Sequence, residues 1–320
     1  MEQKNLYKLY VSLLIVISVV ISFFIHSKFF SRKNIVSPLP NFLTAFTNNQ
    51  VSTLNLWSPI FAMFESTSNQ VPVITAKSAL IYDLKNQKVL FSKNPEKKLP
   101  MASLTKIMTA IVAVESPKKD GQYIVVQDDL VGENSMGLSI DETFSLEELL
   151  YGLILTSGND AAETLASNFP QGRGQFIKAM NNKAKAMGLK NTHFTNPTGF
   201  EGDGKQYTTA YDLLVITNYA MQFPLFKKVA GTFDYRILVT DNHKEFYLEN
   251  ETNLLTSYPG VMGVKTGYTP EAGLCLVTYL NFKGHKIIGI LLGSDNRRQE
   301  MKDLLDYALK IQGITPPPHS

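Results

Sequence analysis

Three short segments carry residue types that could cooperate in acyl transfer. Pro100-Met101-Ala102-Ser103-Leu104-Thr105-Lys106 runs into the apolar stretch Ile107 to Val114, so Ser103 and Lys106 sit at i and i+3 in the first turn of a predicted helix and share a face. A serine hydroxyl is a weak nucleophile until a base takes its proton, and a neutral lysine amine within hydrogen-bond reach is such a base. Lys106 then needs a depressed pKa, which burial or a second nearby cation supplies. Taken singly, Ser103 reads better as a helix-start serine, because serine is a favoured cap.

The second segment is Leu155-Thr156-Ser157-Gly158-Asn159-Asp160-Ala161, a break between a helix ending near Leu155 and an apolar stretch from Ala161. Ser157 could pass a proton to a leaving amine, and the Asn159 amide could hold both a substrate carbonyl and the lysine head. In isolation a plain capped loop is the better reading. The third is Val264-Lys265-Thr266-Gly267-Tyr268-Thr269, where a glycine in strand-like context admits a second backbone, such as a substrate strand. Lys265 would be the second cation and Thr266 a hydroxyl for a substrate carboxylate. Each motif is weak alone. Their order, S-x-x-K then S-x-N then K-T-G, each in its own setting of helix start, inter-helix turn and sheet strand, is what makes the set informative.

These segments need a scaffold that brings them together. Ser78 to Tyr82 and Lys88 to Phe91 flank Lys85-Asn86-Gln87, and Leu274 to Phe282 and Lys286 to Leu292 flank Lys283-Gly284, so four runs read as two hairpins of one antiparallel sheet. Between them, Ser145 and Glu148 form a capping box opening a helix through Leu155, and Phe176 to Met187 is a helix stopped by Gly188. Thr209 and Asp212 could open another, and Asn296 to Ile311 is a terminal amphipathic helix with Met301, Leu304, Leu305 and Ala308 on one side. First and last strands sharing a sheet, with helices inserted between them, predict an α+β layered domain over 71–312. The proline-rich tail, 313–320, cannot continue the helix, and nothing further is expected to fold there.

Leu9 to Ile25 is an uncharged apolar run near the lower limit for crossing a bilayer, and it lacks a small-residue cleavage site. Residues 1–30 are therefore read as a retained N-terminal membrane anchor and 31–70 as a linker, with an apolar patch from Leu56 to Phe64 that could lie at the headgroups or pack on the domain. Lysines and arginines flank the run on both sides, so charge alone leaves its orientation open. The net charge of +3 is too small and too dispersed for a nucleic-acid footprint. Five scattered histidines lack zinc-ligand spacing, so neither metal nor cofactor is implied. Cys275, the single cysteine, sits between Leu274 and Leu276 and reads as a buried strand residue.

The wording around the motifs resembles the low-molecular-weight D-alanyl-D-alanine carboxypeptidases of the S11 peptidase type over roughly Val73 to Leu309. The resemblance rests on MASLTKIMTA, LLYGLILTSGNDAAETLA, MNNKAKAMGLKNTHFTNPTGF and GVKTGYTPEAGLCLV. It implies a serine β-lactamase/transpeptidase-like fold, with an antiparallel sheet flanked by helices and a helical subregion meeting it at a cleft. It also implies Ser103 as acyl-ester nucleophile, Lys106 as general base, Ser157 and Asn159 as proton-relay and positioning pair, and Lys265, with Thr266 and Gly267, at the substrate carboxylate. The backbone N–H groups of Ser103 and Tyr268 would form the oxyanion hole. Arg297 resembles an arginine that also grips the terminal carboxylate, with Arg298 as the neighbouring alternative. The implied substrate is the D-Ala-D-Ala end of peptidoglycan stem peptides, with β-lactams as covalent inhibitors. Such a substrate places Met1 inside and the catalytic domain outside a single-pass anchor.

Two departures stand out. Where the family often reads G-H-Y-S-T-A-R-D-L, this chain has Lys205-Gln206-Tyr207-Thr208-Thr209-Ala210-Tyr211-Asp212-Leu213, losing a histidine and an arginine. Against a class A-like β-lactamase, Gly158 stands where those enzymes usually have aspartate, and no E-x-x-L-N carboxylate lies between Asn159 and Lys265 to activate a deacylating water. Glu201, the acid in roughly the right stretch, is set in turn-like Gly-Asp-Gly surroundings. A non-catalytic peptidoglycan or β-lactam binding module is the other alternative, though it has no need of a lysine with a depressed pKa.

Overall fold

The computed structural model describes residues 70–200 and 205–319, all within one compact unit, Pro59–Ser320. The expected anchor at Leu9 to Ile25, the linker, the Leu56 to Phe64 patch and Glu201 lie outside the described residues. Among the described residues no helix is long and apolar enough to cross a membrane.

The elements in chain order begin with strands β1 (Ser78–Asp83) and β2 (Lys88–Lys93), then helix α1 (Lys106–Glu115). Short strands β3 (Tyr123–Ile124) and β4 (Thr143–Phe144) precede α2 (Leu146–Ile154), α3 (Asn159–Ser167) and α4 (Arg173–Ala186). Next come α5 (Ala210–Ala220), α6 (Pro224–Ala230), β5 (Asp234–Ile237), β6 (Phe246–Glu249) and α7 (Leu254–Ser257). The chain closes with β7 (Val261–Thr269), β8 (Gly273–Phe282), β9 (His285–Ser294) and α8 (Arg297–Lys310).

The two hairpins join as expected in one five-stranded antiparallel sheet of order β2-β1-β9-β8-β7. Local chemistry sets both turns. After β1, the Asp83 carboxylate accepts from the backbone N–H of Lys85 at 2.8 Å and of Asn86 at 3.1 Å, closing an Asx-type turn. Between β8 and β9, Lys283 and Gly284 both take positive φ, 48° and 80°, as a tight two-residue hairpin requires.

The sheet is covered on both faces, which is why β9 is buried along most of its length. Ile287 and Leu291 meet Met301, Leu304, Leu305 and Ala308 of α8 in one core cluster. By the two-residue alternation of a strand, Ile288, Ile290 and Leu292 point to the other face, where α5 packs against β1 and β9. Gly289 belongs to the first set: a Cβ there would stand 2.5 Å from the Met301 sulfur, so the thioether fills the space that the missing side chain leaves.

Helix α1 is the axis of the helical subregion. Every residue from Lys106 to Ala113 is buried, and α2, α3, α4 and α5 surround it. Such an all-round apolar helix is stable only inside a larger body. Its N-terminal end abuts the sheet, because the 3₁₀ turn Ala102–Thr105 packs on β7 and β8. The junction between subregion and sheet therefore falls at Ser103.

Predicted boundaries shift at one helix. Helix α4 starts at Arg173, ahead of the expected Phe176, where the Arg173 guanidinium donates to Glu163 from Nε at 2.6 Å and Nη2 at 3.0 Å. The capping box at Ser145 forms, with Ser145 N–H donating to Glu148 Oε2 at 2.8 Å, and Thr209 caps α5 by accepting from Asp212 N–H at 3.0 Å. The tail adds no regular element, yet it docks: the His319 ring stacks on Tyr258 at 4.7 Å, and its Nε2 lies 3.0 Å from Asp306 Oδ1.

Met301→Ala should cost about 2–5 kcal/mol, the range for deleting a fully buried long side chain, since Gly289 opposite cannot fill the void. Urea unfolding with an unchanged m-value checks this; a loss below about 1 kcal/mol would show the α8 packing to be dispensable.

Candidate active site

The Ser103 turn is backbone-strained and tightly clasped. Ala102, just before the serine, has φ 48°, a left-handed value that costs a non-glycine residue roughly 1 kcal/mol or more. Two glycines make room for it. A Cβ on Gly199, itself at φ 83°, would stand 1.9 Å from the Ala102 carbonyl oxygen, and one on Gly267 would meet the Ala102 Cβ and the Ser103 nitrogen at 3.1 Å each. The close neighbour that Gly267 admits is thus the Ser103 turn itself, where the sequence reading allowed for a substrate strand. Edge strand β7 and the turn are packed backbone to backbone, which a side chain at 267 would prevent.

Lys106 opens α1 and is completely buried. Its Nζ donates to Ser103 Oγ at 3.0 Å, Asn159 Oδ1 at 2.7 Å and the Thr198 carbonyl at 2.8 Å. Burial holds the amine well below its usual pKa, the Lys265 charge pushes it further down, and Glu251, Asp160 and Glu163 oppose the shift. A neutral amine has two N–H donors and one lone pair. With Asn159 and Thr198 taking the donors, the lone pair is left for the Ser103 hydroxyl, which then donates to Nζ.

The Ser157 turn lies between α2 and α3. Ser157 is buried and takes φ 59°, and Gly158 N–H donates back to Gly152 O at 3.0 Å. A Cβ on Gly158 would meet Asp160 Oδ1 at 2.9 Å and Gly152 O at 3.2 Å, so no aspartate fits at 158. The Asp160 carboxylate instead accepts from the backbone N–H groups of Met136, Gly137 and Leu138 at 2.9–3.0 Å and from Ser135 Oγ at 2.5 Å. Asn159 pins the same segment through Nδ2 to Glu133 O at 2.9 Å and its backbone N–H to Asn134 O at 2.8 Å. Its amide oxygen is thereby turned toward Lys106.

On β7, Lys265 is buried, and its Nζ makes no hydrogen bond among the described residues. The nearest counter-charge is Glu251 Oε2 at 4.0 Å. Burial lowers the Lys265 pKa to about 8, with Glu251 opposing and Arg297 adding to the shift. Thr266 Oγ1 donates to Glu251 Oε2 at 3.1 Å. Of the two arginines left open by the sequence, Arg297 turns to this strand, donating from Nη1 to Gly267 O at 2.7 Å and Cys275 O at 3.3 Å, while Arg298 is exposed. Tyr268 is 59% exposed, so the strand end beyond Gly267 faces solvent. Cys275, wholly buried as expected, has its thiol pushed up to about 11 by burial.

Ser103, Lys106, Asn159 and Lys265 therefore form one connected electrostatic group, with Ser157 on the adjoining turn. Three contributors were not anticipated. Thr198 offers a backbone carbonyl, aimed by Asn196 Oδ1, which accepts from Thr198 N–H at 3.2 Å and Gly199 N–H at 2.8 Å. Asn-Pro-Thr-Gly is a turn signal that could have flagged it. Gln206, standing where the family often has histidine, accepts from Thr195 N–H at 2.8 Å and Asn196 N–H at 3.1 Å and donates to Thr105 Oγ1 at 3.1 Å. It ties the Thr198 turn to the Ser103 turn. Glu251 had no motif to announce it.

The sequence profile of peptidase S11, D-alanyl-D-alanine carboxypeptidase, matches residues 65–296. The chain belongs to this family. It is 36% identical over 245 residues to the D-alanyl-D-alanine carboxypeptidase DacF of Bacillus subtilis (strain 168), covering 73% of this chain and 62% of that relative's length. The crystal structure of the Streptomyces K15 DD-transpeptidase superposes with TM-score 0.70 at 30% identity, covering 75% of this chain and 99% of that one. Penicillin-binding protein D2 from Listeria monocytogenes, in the cefotaxime-bound form, superposes with TM-score 0.65 at 28% identity, covering 75% of this chain and 99% of that one. The α+β arrangement is accordingly the serine β-lactamase/transpeptidase-like fold that the motifs predicted.

Gly199→Ala should slow any acylation of Ser103 by at least about a hundredfold, because the new methyl displaces the Ala102 carbonyl and with it the serine turn, and a misplacement of about 1 Å costs that much. Circular dichroism and the acylation rate read together check it; a folded variant with an unchanged rate would show that the turn tolerates the shift.

Proposed function

We propose that the chain is a serine-type D-Ala-D-Ala carboxypeptidase that removes the terminal D-alanine of peptidoglycan stem peptides through an acyl-enzyme on Ser103. The observation that carries this reading is the buried Lys106 amine 3.0 Å from Ser103 Oγ, held below its usual pKa by burial and by Lys265. A binding module has no use for such a base.

In this reading Ser103 Oγ attacks the carbonyl carbon of the penultimate D-alanine while its proton passes to Lys106 Nζ. The Ser103 and Tyr268 N–H groups take the charge that develops on the carbonyl oxygen. Collapse breaks the C–N bond, and the proton reaches the leaving amine through Ser157. Water then attacks the ester, Lys106 again takes a proton, and Ser103 is restored. Asn159 positions the lysine head and the substrate carbonyl. Lys265 and Thr266, on the strand that Gly267 lets approach and Arg297 braces, receive the terminal carboxylate. β-Lactams would acylate the same serine. Because the substrate lies outside the cytoplasm, we also assign residues 1–30 as a single-pass anchor and 31–70 as its linker, with the catalytic domain outside.

Fluorescent penicillin followed by mass spectrometry tests the reading. A long-lived adduct on Ser103 that is absent in Ser103→Ala, with D-alanine released from diacetyl-Lys-D-Ala-D-Ala by the unaltered protein alone, is expected. Rapid turnover of the penicillin would favour a class A-like β-lactamase, and no adduct a binding module.

The pH profile follows from the two lysines. Lys106 works only as the neutral amine, so kcat/KM rises as pH increases through its depressed pKa. Lys265 binds a carboxylate only while charged, so kcat/KM falls as pH increases through about 8. A profile with no alkaline limb would remove Lys265 from carboxylate binding.

A further inference from the structure

Glu251 is the acid that the mechanism above does not use. Its backbone N–H donates to Leu155 O at 3.1 Å, at the end of α2 beside the Ser157 turn, and its carboxylate reaches across to β7. It lies 4.0 Å from Lys265 Nζ and accepts a hydrogen bond from Thr266 Oγ1 at 3.1 Å. Lys106, Lys265 and Arg297 all feel its charge. Its side chain is 43% exposed while that of Lys265 is 1% exposed, so Glu251 is the solvent-facing member of the pair.

A terminal carboxylate brought to Lys265 and Thr266 would meet this arrangement awkwardly. It would sit against a like charge and compete with Glu251 for the one hydrogen that the Thr266 hydroxyl can donate. A terminal carboxamide meets it well. Its carbonyl oxygen can accept from Lys265, and its NH₂ can donate to Glu251 and to the Thr266 oxygen. We propose that Glu251 is a specificity-determining residue that relaxes the demand for a free terminal carboxylate, so that substrates whose leaving D-amino acid ends in a neutral carboxamide are also cleaved. The inference rests on the carboxypeptidase reading above and names the substrate class that this version of the site takes.

The test compares diacetyl-Lys-D-Ala-D-Ala with its C-terminal amide, measuring kcat/KM for release of D-alanine and of D-alaninamide. The full chain is used as it stands, and as Glu251→Gln, which removes the charge, and Glu251→Ala, which also frees the Thr266 hydroxyl. The unaltered protein should cleave both peptides, and, read at a pH well below 8 so that Lys265 stays charged when Glu251 no longer holds its pKa up, the acid-to-amide ratio should rise about tenfold in both variants through a gain on the acid, a size that allows for solvent screening of a half-exposed charge. An unchanged ratio, or a loss on the acid, overturns the proposal. Penicillin labelling of Ser103 in the same proteins separates the two readings: labelling with a flat ratio removes Glu251 alone, whereas no labelling of the unaltered protein removes the carboxypeptidase reading and this inference with it.

Discussion

A lysine amine kept dry, with its pKa pressed down, is the condition on which the rest of this structure depends. Lys106 Nζ is buried among three hydrogen-bond partners, Ser103 Oγ in the turn ahead of α1, Asn159 Oδ1 at the start of α3 and the Thr198 carbonyl, and no single segment could satisfy it. Burying a charged ammonium costs several kcal/mol, so burial pulls the Lys106 pKa down and favours the neutral amine that the proposed role beside Ser103 requires. The second cation on β7 pushes the same way, which gives the sheet an electrostatic as well as a structural part in the site.

Keeping that amine in place demands unusual backbone around it. Ala102 and Ser157, both non-glycine, hold left-handed φ, while Gly199 and Gly267 leave their side-chain positions empty so that three backbones can meet around Ser103. Asp160 collects the N–H groups of Met136, Gly137 and Leu138 and thereby fixes the segment to which Asn159 is anchored. Strained turns of this sort persist only where surrounding contacts over-determine them.

Ser103, Lys106, Ser157, Asn159 and Lys265 could be read from the sequence because each lies in a short motif whose spacing fixes a local face. The hairpins were legible for a related reason: Lys85-Asn86-Gln87 and Lys283-Gly284 carry turn chemistry between alternating runs. Thr198 contributes a backbone carbonyl, to which side-chain identity gives no clue, and Gln206 and Glu251 act across 101 and 15 residues of chain. The two-stranded pairs β3–β4 and β5–β6 escaped because their strands are only two and four residues long, too short for an alternation of buried and exposed positions to stand out in the sequence. The start of α4 was missed because a salt link from Arg173 to Glu163, distant in sequence periodicity, extends it.

Helix α8 joins two tasks that the rest of the chain keeps apart. Its first residue, Arg297, holds the Gly267 carbonyl, whereas Asp306, roughly 13 Å further along the axis, receives His319 and helps line a groove with Gln70 to Val73. Both ends of the described chain thus lie against the same stretch of a single helix, away from its Arg297 end. A pull on either end of the described chain would therefore act first on α8 near Asp306, at the opposite end from the Arg297 contact with β7.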